Sequence, residues 1–146
     1  MRNTINSKTH LYLVLSLLAV CIMCNACTTK NQNTENTRPT EFSEQIALTE
    51  SILVCFQQEK FDEVEKHFSN NMRKQLSKEQ LAVLWAQLNS QFGKFSKSRF
   101  YSAEKLHVIG DRIVYQCDFG SQQLYFHLIL GKDNRISGLF FKTHPN

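Results

Sequence analysis

The chain has 146 residues, a formal charge of +4, and 42% hydrophobic against 21% charged side chains. Removing the first 27 residues takes away two basic side chains and no acidic one, which leaves a net charge of about +2. That weak charge, with no Lys/Arg run long enough to follow a phosphate backbone, excludes nucleic acid as the expected partner, and the absence of a Gly-rich phosphate loop or a Gly-x-Ser-x-Gly elbow removes the commonest nucleotide and hydrolase signatures.

Arg2 and Lys8 precede an apolar stretch from Leu11 to Cys24, the layout of a secretory signal peptide. A helix over Leu11–Ala26 reaches about 24 Å at ~1.5 Å per residue, short of the ~30 Å hydrocarbon core, so a cleaved signal is expected rather than a permanent span. Three cysteines crowd its end. Val20 before Cys21 and Met23 before Cys24 are too large for a bacterial lipobox, whereas Ala26 before Cys27 fits. Ordinary signal peptidase tolerates the same Ala26–Cys27 bond, and the two outcomes differ in whether Cys27 carries lipid such as palmitate. The lipoprotein reading divides the chain into a signal peptide (1–26), a lipid-acceptor Cys27 with a polar tether (27–40), and one folded domain (41–146). It places the domain in the cell envelope, in the periplasm or at the cell surface. The tether is too poor in apolar residues to fold, and its twelve residues from Thr28 to Pro39 give a root-mean-square reach of about 17–21 Å, so partners are expected close to the membrane.

From Thr40 the spacing is helical. Phe42, Ile46, Thr49, Ile52, Leu53 and Phe56 fall on one face, and Thr40, after Pro39, is placed to cap the start. A polar break at Gln57–Lys60 precedes a short second helix with Phe61, Val64 and Phe68 on one side. Glu63 and His67 stand four apart there, but the second His of a zinc motif is missing, and a solvated pair is the simpler reading. Asn70-Asn71 reads as another break. Ser77 and Gln80 then form a capping box for a third helix with Leu81, Leu84, Trp85, Leu88 and Phe92 in a stripe, and Gly93 ends it. Trp85 either belongs to the core or lines a pocket.

After Gly93 the period changes to two. Four strands are expected: about Phe95–Lys105, bent or bulged; Leu106–Gln116, broken at Gly110-Asp111, or else Arg112–Phe119 as its own strand; Gln122–Leu130; and Arg135–Lys142. Short turns between them imply an antiparallel meander. Parity groups Leu124, Phe126, Leu128 and Leu130 on one face and Tyr125, His127 and Ile129 on the other. Ile113, Tyr115, Cys117 and Phe119 share a face, as do Ile136, Gly138 and Phe140 against Leu139 and Phe141. The last two strands have no polar face, so one side covers the helices and the other lines a pocket or meets a partner. An oxidising compartment permits a disulfide between Cys55 and Cys117, with two free packed thiols as the alternative. No metal ligand spacing surrounds either.

Three stretches, FDEVEKHFS, LSKEQLAVLWAQLNSQFGKF and GKDNRISGLFFK, resemble the envelope proteins of the domain of unknown function 3887 family, within the cystatin-like, nuclear-transport-factor-two-like group. The resemblance covers most of Phe61–Lys142. It implies an α+β fold: about three N-terminal helices packed on a curled four-stranded antiparallel sheet, a cystatin-like cone. It implies no mechanism. The expected function is a membrane-tethered envelope lipoprotein whose domain binds a small apolar ligand, a second copy or an envelope protein, without a cofactor. The candidate pocket or interface comprises Trp85, Tyr115, Tyr125, His127, Ile129 and Phe141. The alternatives are an isomerase, dehydratase or hydrolase-type enzyme using the cone, with His127, Asp118, Tyr115 and Tyr125 as its titratable groups, and a structural accessory protein. No catalytic residue is assigned.

Overall fold

Pro39 opens the folded region by accepting a hydrogen bond at its carbonyl from the Phe42 N–H at 3.1 Å, which winds Thr40–Phe42 into a 3-10 turn. The computed structural model describes residues 38–120 and 122–146. The signal segment, Cys27 and most of the tether inferred from the sequence lie outside the described residues. Helix α1 runs Ser43–Gln57. It starts later than the expected Thr40 cap and without a side-chain cap, because the 3-10 turn takes that position. Its buried face is the predicted one: Phe42, Ile46, Thr49, Ile52, Leu53 and Phe56. Thr49 is tolerated there because its hydroxyl donates to the Gln45 carbonyl at 2.7 Å.

Helix α2, Phe61–Lys66, buries Val64 and leads to the buried Phe68. Asn70-Asn71 does not break the chain but begins helix α3, Asn70–Gln75, because the Ser69 hydroxyl accepts from the Met72 N–H at 3.2 Å. The described residues therefore carry four helices, not three. Helix α4, Lys78–Phe92, starts on the expected capping box: Gln80 N–H donates to the Ser77 hydroxyl and Ser77 N–H to the Gln80 side chain. Gly93 ends it at φ 90° and ψ 170° rather than in the left-handed helical region. The reason is a close backbone approach: a Cβ on Gly93 would lie 2.9 Å from the Gly120 Cα, and the Gly120 N–H donates to the Lys94 carbonyl at 3.0 Å.

The strands are β1 (Phe95–Leu106), β2 (Gly110–Phe119), β3 (Gln122–Leu130) and β4 (Ile136–Lys142). They form one curled antiparallel meander in the order β1-β2-β3-β4. The split at Gly110 is the second of the two sequence readings. β1 is irregular at two places against β2, between Phe95 and Lys97 and between Phe100 and Ser102, and such irregularities bend a sheet. One face carries Ile113, Tyr115, Cys117, Phe119, Leu124, Phe126, Leu128 and Leu130 into the core beneath the helices.

The last strand departs from simple parity. Ile129 pairs with Gly138 but Leu130 pairs with Ile136, so Ser137 is an extra residue. The irregularity returns Ile136 to the same face as Leu139 and Phe141, all packed on the core, and leaves Gly138 and Phe140 opposite. The grouping of Ile136 with Gly138 and Phe140 is corrected by this single bulge. The start of β4 is held from outside as well: Ser69 N–H donates to the Ile136 carbonyl at 2.8 Å and Ile136 N–H to the His67 carbonyl at 2.9 Å.

Phe56 meets the rings of Phe61, Trp85, Phe126 and Phe141 at centroid distances of 5.1–6.4 Å. Phe56→Ala is expected to lower unfolding free energy by about 3–5 kcal/mol, and Ser77→Ala by about 1 kcal/mol through the lost α4 cap. Urea denaturation read by far-UV circular dichroism measures both.

Candidate functional site

The six side chains expected to form one pocket divide between the two faces of the sheet. Trp85, Tyr115 and Phe141 lie on the helix side, and Tyr125, His127 and Ile129 lie on the other. Tyr115 is fully buried, and its hydroxyl donates to Glu50 at 2.9 Å, while Glu50 also pairs with Arg38 at 2.6 Å. Burial first, then the Glu50 carboxylate, pushes the Tyr115 hydroxyl pKa up, so it stays protonated. Nothing local in the sequence marked Glu50 and Arg38 as its partners, because 65 residues separate Tyr115 from Glu50.

On the opposite face Tyr125 meets Tyr101 edge-on at 5.1 Å. Ile129 fills the space left by Gly138, where a Cβ would come within 3.3 Å of its Cδ1. His127 is fully buried and stacks on Phe140 at 4.9 Å and 14°. The His144 backbone lies close enough to favour its proton slightly, but no full hydrogen bond reaches either ring nitrogen. Burial, then the positive charges of Lys142 and Arg112, bring its pKa down from 6.5 to about 4, so the imidazole is neutral at pH 7. Asp118 is taken up by Lys97 at 3.4 Å and by the Gln123 amide at 3.1 Å. His127, Asp118, Tyr115 and Tyr125 therefore do not converge. Glu63 binds Lys66 at 2.6 Å, and no group of three or more metal-ligating side chains occurs among the described residues. Cys55 and Cys117 are both free thiols. Burial raises both pKa values, that of Cys117 to about 12.

The arrangement that can receive a ligand lies elsewhere, between α4 and β4. A groove of about 300 Å³ is lined by Phe56, Leu81, Leu84, Trp85, Leu88 and the run Leu139–Phe141, with Gln87 and Gln91 as its polar members. Trp85 and Phe141 are the two predicted residues it contains. It combines the two sequence readings of Trp85: the ring is 4% exposed, packed on Phe119 and Phe95, yet forms part of the groove wall. Leu84 and Leu88, members of the apolar stripe of α4, also line the groove. Leu84 is 46% exposed, on the side of α4 where the sheet reaches its last strand. The signal available in the sequence was the width of the α4 stripe, five large apolar residues for one strand edge. Leu84 and Gln87 also border a shallower basin with Leu76 and Val83, which extends the apolar surface along α4. No titratable side chain lines the groove itself.

A family model described as "Protein of unknown function (DUF3887)" matches residues 49–139, from within α1 to Leu139 of β4. No curated protein and no solved structure matches the chain. No helix among the described residues is long and apolar enough to cross a membrane.

The buried imidazole sets a pH dependence. Its pKa is lower folded than unfolded, so the unfolded chain binds the proton first as pH falls. Its contribution is complete above pH 6.5 and is lost as the pH falls toward 4, by on the order of 2–3 kcal/mol. His127→Phe is expected to flatten that segment of the stability–pH profile in urea titrations, with little loss at pH 8.

Proposed function

Because the chain belongs to the family of proteins of unknown function DUF3887, a membership that brings no activity with it, we propose from the geometry that it is a binding module whose α4–β4 groove takes an apolar group of a partner. The observation that carries this reading is the groove itself: about 300 Å³, apolar walls, and two glutamines at its border. Binding sites of this kind are concave and largely apolar with few polar groups. Separation of His127, Asp118 and Tyr115 from the groove supports binding over catalysis. The open basin beside Leu84 supports a partner larger than a metabolite.

The site of action proposed from the sequence is the cell envelope, with the domain tethered to a membrane by lipid on Cys27. The apolar segment Leu11–Cys24, the small Ala26 before Cys27 and the polar stretch after it support that reading. Mass spectrometry of the mature amino terminus tests it: an acylated Cys27 is expected, and an unmodified Cys27 removes the anchor. Cys27→Ser is expected to move the chain from the membrane to the soluble fraction.

Trp85 is the chain's single tryptophan, so its fluorescence reports on the groove. An apolar probe such as anilinonaphthalene sulfonate is expected to shift that emission. Leu84→Asp is expected to weaken binding about tenfold, the equivalent of one lost apolar side chain, while changing stability by no more than about 0.5 kcal/mol. Undiminished probe binding by Leu84→Asp excludes the groove.

A further inference from the structure

Resting on the anchored reading of the amino terminus, we infer that the tip of the β1–β2 hairpin, Val108 and Ile109, is a second membrane contact, which inserts its two side chains into the lipid surface that holds the tether. β1 and β2 pair as far as Leu106 and Gly110. The Ile109 N–H donates to the Leu106 carbonyl at 2.9 Å, which closes a tight turn with His107 and Val108 at its centre. Such turns favour Gly, Asn, Asp, Ser and Pro, and branched apolar side chains suit a half-buried strand instead. Here Val108 is 84% exposed and Ile109 57%. Neither packs on the core, so folding does not account for them. An apolar pair at an apex where polar residues are the rule marks a contact.

The tip stands on a fixed base beside the first turn of the domain. On one strand Lys105 donates to Glu41 at 3.0 Å and lies over the Phe42 ring. On the other, Asp111 accepts from the Gln45 amide at 3.2 Å. Gly110 is pressed against the end of β3, with no room for a Cβ beside the Leu130 carbonyl.

That position chooses the occupant. Arg38, the first described residue, pairs with Glu50 at 2.6 Å, so the chain enters the domain between the middle of α1 and the tip. Arg38 stands eleven positions after Cys27, at most about 40 Å along even a fully extended chain. Lipid on Cys27 therefore brings the bilayer within reach of the end of the domain that carries the tip. Two side chains alone are too little apolar surface to hold a free protein on a membrane. A tether makes the contact intramolecular and raises its effective concentration. The same two side chains supply only a fraction of the ~800 Å² per partner that a stable protein interface buries, which favours a lipid surface over a second copy. Lys105 at the base is already matched by Glu41, so the attraction is apolar.

The test uses the full chain produced with its own signal segment and reconstituted into phosphatidylcholine vesicles, with or without bromine on the lipid acyl chains. Flotation reports the anchor. Bromine quenches a tryptophan that enters the hydrocarbon, so Val108→Trp reports the tip, at an exposed position that tolerates the change. Trp85 packs on Phe95 and Phe119 at the far end of β1 and β2, up to about 36 Å from the tip at ~3.3 Å per residue, and serves as the internal reference. Val83→Trp, at a 57% exposed apolar position on α4, controls for the affinity of tryptophan itself for lipid. Val108→Trp is expected to add a blue-shifted emission that brominated lipid quenches, with Trp85 and Val83→Trp unquenched. Adding Ile109→Asp is expected to abolish the quenching while flotation persists. Added salt is expected to leave it in place, because screening weakens contacts between charges and not apolar burial. A chain that fails to float removes the anchor and the inference with it. A chain that floats with unquenched Val108→Trp emission overturns the inference and leaves the anchor standing. Quenching of Trp85 or of Val83→Trp in preference to the tip shows that another face meets the bilayer, and overturns it as well.

Discussion

The fold depends on one aromatic cluster. Phe56 from α1 and Trp85 from α4 meet Phe119, Phe126 and Phe141 from three different strands, at centroid distances of 5.0–6.4 Å. Aromatic pairs in tilted and edge-on arrangements add to the area they bury. Here they join elements far apart in sequence at one point. The two longest helices are thereby fixed over the sheet, and the position of α4 relative to β4 follows. The groove is the space left where that cluster reaches the end of the sheet. A change to the cluster is therefore a change to the groove.

The same arrangement explains why polar chemistry lies away from the groove. A wall of rings has no room for a solvated carboxylate, and a charge placed there would be costly without a partner. The buried polar groups are found where backbone or a specific partner serves them. Thr49 bonds its own helix, and Tyr115 bonds Glu50. Single atoms of Gln45 and Arg112 are buried without a partner, and His127 is the side chain in which both polar atoms are, neutral and stacked on Phe140. Two cations in its vicinity make the neutral form the one that the folded state holds.

Much of this architecture was legible in the sequence, and the misses have physical causes. The α1 stripe and the α4 capping box were readable because periodicity and capping are local properties. α3 was missed because none of its six residues is fully buried and Met72 alone packs on the core, so it leaves no apolar period, and its start depends on one hydroxyl, that of Ser69. The faces of β2 and β3 followed from alternation, but a single extra residue at Ser137 inverted the assignment at the start of β4. The site was harder still. Trp85 and Phe141 were identified, yet Leu84 and Leu88 look like ordinary core residues until the edge of the sheet is located. Tyr125, His127 and Ile129 share a face with one another, and not with the groove.

The two thiols of the domain have a consequence for the compartment proposed for it. Oxidants attack thiolate far faster than thiol. With its pKa at about 12, Cys117 is ionised to roughly one part in 10⁵ at pH 7, and its sulfur is sealed beneath the sheet's core face. Cys55, half-buried, is likewise kept protonated by burial and by Glu63. In an oxidising compartment such a sulfur as that of Cys117 would be inert, and the domain would keep its core there without a crosslink.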